Sequence, residues 1–266
     1  MSDNQVYPKK SLGQHWLNDR ASLQAICDAA DLQPDDVVLE IGPGLGSLTT
    51  ELVSRVKKVV AVEFDPFIAA NLPSRVAANN LEVIHGDILK FDLSQLPRDY
   101  KVVANLPYYI TSKITRWLLE SANPPKLATL LVQKEVAERM AAEPGQLSIL
   151  GIATQFYTEP QLGIIVPPKL FTPPPQVDSQ VITLVRRQQP LFKDVDVELY
   201  FKVVKAGFSE KRKKLRSSLS GSLQISKAQA DELLQKAGMS LESRAQELSL
   251  DDWYKLEEAF KTNHLS

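Results

Sequence analysis

Between Val37 and about Arg187 the chain alternates short apolar runs with stretches of helical period, the pattern of βαβ units around a mostly parallel sheet. The runs predict strands at Val37–Ile41, Val59–Glu63, Leu81–His85, Val102–Ala104 and Leu127–Val132. Helices are expected over Leu48–Val56, Pro66–Val76, Ile110–Glu120 and Lys134–Ala142. Asp65 before Pro66 marks one helix start, a capping carboxylate followed by proline at the first helical position. Two further runs, Leu162–Val166 and Gln180–Val185, predict an antiparallel hairpin that brings the sheet to seven strands. Their connection, Pro167–Pro175, holds five prolines in nine residues and is expected to be an ordered, extended loop.

Near Gln188–Asp194 this alternation stops. The remainder predicts helices only, at Glu198–Phe208, Leu215–Leu223, Lys227–Ala237 and Leu250–Phe260, with Gly238 placed to cap the third. The pattern therefore divides the chain into an α/β domain over residues 1–190 and a smaller all-helical C-terminal domain over residues 191–266.

Composition changes this picture little. An apolar share of 44 % and a charged share of 24 % over 266 residues are those of an ordinary globular protein. No apolar run approaches the length of a membrane span and the N-terminus lacks a signal-peptide core, so no membrane partner is expected. The single Cys27 excludes an internal disulfide; among Ala25, Ile26 and Ala29 it reads as a packed helical thiol, and a reducing, cytoplasmic location is the expectation. His15, His85 and His264 lack metal-ligand spacing, so no metal is expected. A net charge of −1 gives no global sign of nucleic-acid binding, which leaves only a local signal to look for.

The chemistry concentrates at strand ends. Asn105-Leu106-Pro107-Tyr108 follows the run Val102–Ala104 and offers a side-chain carbonyl, a backbone carbonyl and an aromatic face together. An exocyclic amino group on a flat base requires all three: two acceptors, Asn105 Oδ1 and the Leu106 carbonyl, and a ring, Tyr108, to stack on. Glu40-Ile41-Gly42-Pro43-Gly44-Leu45-Gly46 follows the first strand and opens a helix, so Gly42 and Gly44 permit a tight turn and close approach of a ligand. Twenty-one residues after Gly42, Glu63 ends the second strand, where a carboxylate accepts from both ribose hydroxyls. Asp87 and Ile88 follow the third, suited to an adenine amino group and ring. The third glycine comes one residue earlier than in the dinucleotide fingerprint, with Ser47 in its place, so S-adenosylmethionine fits better than NAD. The whole reads as a Rossmann-like class I methyltransferase domain on a mostly parallel seven-stranded sheet.

From Phe201 to Leu219 seven residues are basic and one is acidic. Lys211, Arg212, Lys213, Lys214 and Arg216 form its core, a local footprint for phosphate contacts in an otherwise neutral chain. From Ser222 onward the balance is five basic against eight acidic, which directs the last helices to packing or solvent.

The chain resembles the ribosomal RNA adenine N6,N6-dimethyltransferase family over essentially its whole length. The resemblance is carried by Lys10–Asp19, the Glu40–Gly46 loop, Val62-Glu63, Gly86-Asp87, Asn105–Tyr108, Gln133-Lys134-Glu135 and Phe171–Ser179. It implies transfer of methyl groups from S-adenosylmethionine to N6 of two adjacent adenosines in the 3′-terminal hairpin of small-subunit ribosomal RNA, within a pre-30S particle, by a monomeric enzyme. The family's cofactor contacts would fall on His15, Leu17, Gly42, Glu63, Asp87 and Asn105, and Phe171 would join Tyr108 in sandwiching the target base. Leu12 and Trp16 stand where phenylalanine is usual, and His15 where asparagine is common. Two alternatives stay open: a large-subunit methyltransferase of the antibiotic-resistance type, and a non-catalytic ribosome-assembly or transcription factor on the same fold.

Overall fold

The computed structural model describes residues 13–210 and 212–264. In chain order its first elements are β1 (Trp16–Leu17), α1 (Arg20–Ala29), β2 (Val37–Ile41), α2 (Ser47–Val53), β3 (Lys58–Glu63), α3 (Pro66–Val76) and β4 (Leu81–His85). Then come β5 (Lys101–Asn105), α4 (Thr111–Leu119), β6 (Leu127–Gln133), α5 (Lys134–Met140), α6 (Ile149–Tyr157), β7 (Thr158–Val166), β8 (Phe171–Thr172) and β9 (Ser179–Arg186). The last are α7 (Val197–Gly207), α8 (Leu215–Leu223), α9 (Lys227–Lys236) and α10 (Leu250–His264).

Two compact units result: residues up to 138 together with 158–186, and residues 139–157 together with 187 onward. In the first, a seven-stranded sheet runs in the order β4-β3-β2-β5-β6-β9-β7. Its first five strands are parallel, and β9 and β7 close it antiparallel. Strands β2, β3, β5 and β6 are buried along nearly their full length, as parallel strands covered on both faces must be. Their sequences accordingly lack alternation and are rich in Val and Leu. Asp65 caps α3 as its sequence position predicts: Oδ1 accepts from the Phe67 N–H at 2.9 Å, with Pro66 next in line.

The second unit is helical and differs from the sequence expectation in its extent. Residues 139–157, assigned to the α/β domain by the break near Gln188, cluster with the C-terminal helices. The reason is Phe156, whose ring lies 4.9 Å from Tyr200 and 5.1 Å from Phe201 in the aromatic core of that unit. Helix α6 itself has no counterpart among the predicted elements. It is buried nearly all round, so it shows no amphipathic period, and Gly151 is required because a Cβ there would sit 2.6 Å from the Arg139 carbonyl. Gly238 does close α9: with φ +74° it lets Met239 and Gly238 donate to the carbonyls of Leu234 and Gln235, at 2.8 and 3.0 Å.

The proline-rich connection is also more structured than an extended loop. It contains one 3-10 turn, Pro168–Leu170, and then β8, which pairs with β1 through Trp16↔Thr172 and Leu17↔Phe171. Among the described residues no helix is long and apolar enough to cross a membrane.

Candidate active site

Strand order decides where the site lies. From β2 the chain proceeds outward through β3 and β4, then returns to place β5 on the other side of β2. At such a reversal the loops after adjacent parallel strands diverge and leave a crevice at their C-terminal ends. The register brings Ile41 beside Val62 and Glu63 beside His85, so the residues that follow β2, β3, β4 and β5 share one edge. A cavity of about 340 Å³ opens there. Its wall includes His15, Leu17, Gly42, Gly44, Glu63, Asp87, Ile88 and the whole stretch Asn105–Tyr108, so residues 90 positions apart in sequence meet.

The glycines do different work. Gly42 takes φ +66° while its N–H donates to the Val62 carbonyl at 3.0 Å, turning the chain off the strand. A Cβ on Gly44 would lie 3.1 Å from the Trp16 indole, and the Gly44 N–H donates to Glu63 Oε2 at 3.2 Å. The loop is thus latched to the carboxylate at the next strand end. Gly46 faces away from the ligand: its Cβ would fall 2.8 Å from Leu72, so this glycine allows α2 and α3 to approach.

Glu63 is buried, and its Oε1 accepts from the Asp65 N–H at 2.8 Å. Burial pushes its carboxyl above the ordinary range, and the backbone N–H groups of Asp65 and Gly44 pull it back. Each oxygen keeps a lone pair for further donors. Glu40, 1 % exposed, is raised to about 8 by burial, with the Glu63 charge adding to the shift. Thr49 favours its charged form without closing a hydrogen bond, and Glu40 Oε2 and Trp16 Nε1 are both buried without a partner at the cavity wall. Asp87 uses Oδ1 to cap the turn at the Leu89 N–H, 3.0 Å away, which leaves Oδ2 for a ligand. Ile88 and the exposed Phe64 are the apolar walls nearest these carboxylates in sequence.

Asn105 is held by a segment far away in the chain. Its Nδ2 donates to the His15 carbonyl at 3.0 Å, so Oδ1 is the end left to accept. Leu106 is buried and its N–H donates to Leu131 at 3.1 Å, fixing the bend that Pro107 continues. Tyr108 is half-buried, its hydroxyl 2.7 Å from Ser179 Oγ, and the His15 ring stacks on it at 5.6 Å with 21° between planes. His15 Nδ1 is in turn 2.7 Å from the Pro173 carbonyl, so it carries the proton.

Two sequence expectations fare differently here. Phe171 is not a wall of the cavity: it is 4 % exposed and packs in the apolar cluster with Leu17, Val166 and Val181. The β1–β8 pairing turns it inward, so the base sandwich between Tyr108 and Phe171 is corrected. In the basic segment, Lys213 pairs with Glu210, Lys214 with Glu242 at 2.5 Å and Arg216 with Asp231 at 3.5 Å, while Lys211 lies outside the described residues. Arg212 is exposed. Sequence reasoning had not singled out Phe64, Tyr109 or Lys113, all of which line the cavity; a lone aromatic or lysine beside a motif carries no signal until the fold aims it.

A glycine loop latched to a ribose-type carboxylate, beside an amide acceptor and a tyrosine ring, defines a Rossmann-type domain that brings a nucleoside cofactor to an amino group. The chain matches the ribosomal RNA adenine dimethylase family over residues 7–262 and belongs to it. It is 41 % identical to the ribosomal RNA small subunit methyltransferase A of Dehalococcoides mccartyi over 252 residues, 93 % of this chain and 87 % of that one. Among solved structures, a dimethyladenosine transferase from Plasmodium falciparum aligns with a TM-score of 0.80 at 28 % identity, covering 94 % of this chain and 98 % of that one. The 23S rRNA methyltransferase ErmE aligns with a TM-score of 0.74 at 31 % identity, covering 92 % and 99 %.

Proposed function

We propose that this protein transfers methyl groups from S-adenosylmethionine to N6 of two adjacent adenosines of small-subunit ribosomal RNA, giving N6,N6-dimethyladenosines. The observation that carries the reading is the Asn105 amide, whose NH₂ is taken by the His15 carbonyl so that its oxygen is left to accept, on the wall of the cavity that Glu63 and the glycine loop also line. The residues present fit the cofactor: a Cβ on Gly42 or Gly86 would meet nothing within 4 Å, so both leave open space at the cavity wall, and two buried polar atoms in that wall, Glu40 Oε2 and Trp16 Nε1, lack partners. Glu63 would accept from the ribose hydroxyls, Asp87 Oδ2 from the adenine amino group, and Phe64 and Ile88 would flank the adenine ring. Bound there, the cofactor supplies an electrophilic methyl group.

The target amine is a poor nucleophile because its lone pair is delocalised into the ring. Asn105 Oδ1 and the Leu106 carbonyl accept its two N–H bonds and favour a pyramidal nitrogen with its lone pair directed away from them. No strong base is needed, since the proton becomes acidic once nitrogen carries positive charge. Tyr108, fixed by Ser179 and His15, presents its ring to the extruded base, a contact worth roughly 1–3 kcal/mol.

The greater identity to the small-subunit enzymes than to ErmE favours the small-subunit substrate. The reading extends to a partly assembled small subunit as the true substrate, a monomeric enzyme, a cytoplasmic location, and phosphate contacts by Lys211, Arg212, Lys213, Lys214 and Arg216. Calorimetry tests the cofactor assignment: S-adenosylhomocysteine should bind and lose most of its affinity in Glu63→Ala. Binding of NAD alone would overturn it.

A further inference from the structure

Among the described residues Tyr109 is the most exposed of the large apolar side chains, 67 % accessible, yet it sits on the wall of the reaction cavity next to the ring proposed to receive the target base. It is not a free side chain in solvent. Gly13, at φ +59°, would place a Cβ 3.2 Å from Tyr109 Cδ1, so one edge of the ring rests on the Gly13 backbone while the remainder stays open. Lys113 stands one turn further along, on α4, exposed and also on the cavity wall. It joins no ion pair among the described residues, in contrast to Arg116 on the same helix, which pairs with Glu120 at 2.9 Å.

An anchored, open aromatic face and an unpaired cation one turn apart match the two halves of a nucleotide, base and phosphate. Extruding an adenosine from an RNA stack removes one stacking partner from its neighbour, which then presents a bare face. We propose that Tyr109 and Lys113 receive the nucleotide adjoining the reacting adenosine, Tyr109 stacking on its base and Lys113 pairing with its phosphate. The inference rests on the adenosine-methylation reading above. Because two adjacent adenosines are the targets in that reading, the nucleotide held here is the second substrate while the first reacts.

The test uses the full chain with a small-subunit hairpin RNA carrying 2-aminopurine at the neighbouring position, or an abasic site there. Tyr109 should quench the neighbouring 2-aminopurine, and Tyr109→Ala should abolish the quench while Tyr109→Phe retains it. Tyr109→Ala should weaken binding of the intact RNA by roughly five- to a hundredfold, the span of one base–aromatic stack, and leave the abasic RNA unaffected. Lys113→Gln should lower the slope of log K against log salt by roughly 0.7–0.9. Affinity for S-adenosylhomocysteine should be unchanged in all three variants. Equal weakening of intact and abasic RNA, or none, overturns the stacking assignment, and an unchanged salt slope overturns the phosphate assignment. Failure of the underlying reading shows separately: the target adenosine of the same hairpin would then gain no N6-methyl group by mass spectrometry, even with the unaltered protein and S-adenosylmethionine.

Discussion

The side-chain amide of Asn105 donates to the backbone carbonyl of His15 across 3.0 Å, and that one contact fixes Oδ1 as the end left to accept. A carbonyl can only accept, so the NH₂ group must point to it and Oδ1 is left as the acceptor of a residue that lines the cavity. Residues 90 positions apart thus cooperate to aim a single lone pair.

Asn105→Ala removes the acceptor. Transfer should fall roughly 10²–10³-fold when chemistry limits the rate, as on loss of a transition-state hydrogen bond. Single-turnover kinetics at saturating cofactor and RNA isolates that step. Near-normal rates would sink the role given to the amide.

Phe171→Ala should act on stability and not on capture of a base. The ring is 4 % exposed in the unit's apolar core, so truncation should cost about 3–5 kcal/mol in denaturant titration, with Phe171→Leu recovering much of it. An unchanged unfolding midpoint together with a specific loss of RNA methylation would return Phe171 to the target site.

Most of the α/β framework was legible because its information is local. The apolar runs of β2, β3, β4, β5 and β6 give strands to within a residue at either end, and Asp65-Pro66 marks the start of α3. That Gly42, Gly44, Glu63, Asp87 and Asn105 gather at one cavity was legible for a related reason: each motif ends a strand, and parallel strands bring their ends together. What escaped depends on partners distant in sequence. Helix α6 is buried nearly all round, with Ile149, Gln155 and Tyr157 only partly exposed, and offers little polar face to betray its period. Phe171 reads as a loop residue from its prolines, and only its pairing opposite Leu17 turns it inward. The ion pairs of Lys214 with Glu242 and Arg216 with Asp231 likewise require the fold.

Those pairs shape the expectation for the basic segment. The Lys213–Glu210 and Lys214–Glu242 pairs are largely exposed, so each is worth little and can be exchanged for a phosphate contact, whereas the Arg216–Asp231 pair is half-buried. Replacing Lys211, Arg212, Lys213 and Lys214 by alanine should weaken RNA binding across sequences and reduce the salt slope by about 1–3 units. Cofactor affinity should persist. An unchanged slope would make Arg212, Lys213 and Lys214, which lie between α7 and α8, a solvated connection with no part in docking.

Glu40 ties stability to pH. With its carboxyl raised from 4.5 to about 8, the folded protein stays protonated there while the unfolded chain ionises. The penalty is absent below 4.5, grows as pH climbs, and is complete above about 8. Glu40→Gln keeps a neutral isostere, so the cofactor-free variant should match the unaltered protein near pH 4.5 and exceed its stability at pH 8 by on the order of 4 kcal/mol. Denaturant titrations at the two pH values check this; a difference that does not change with pH would mean Glu40 is ionised in the fold.

The most direct measurement is mass spectrometry of ribosomal RNA from both subunits after incubation with the protein and S-adenosylmethionine. Two adjacent N6,N6-dimethyladenosines in the 3′-terminal hairpin of the small-subunit RNA are expected, absent with Asn105→Ala. Methylation confined to large-subunit RNA, or none in either RNA while cofactor and RNA both bind, would contradict the proposed function.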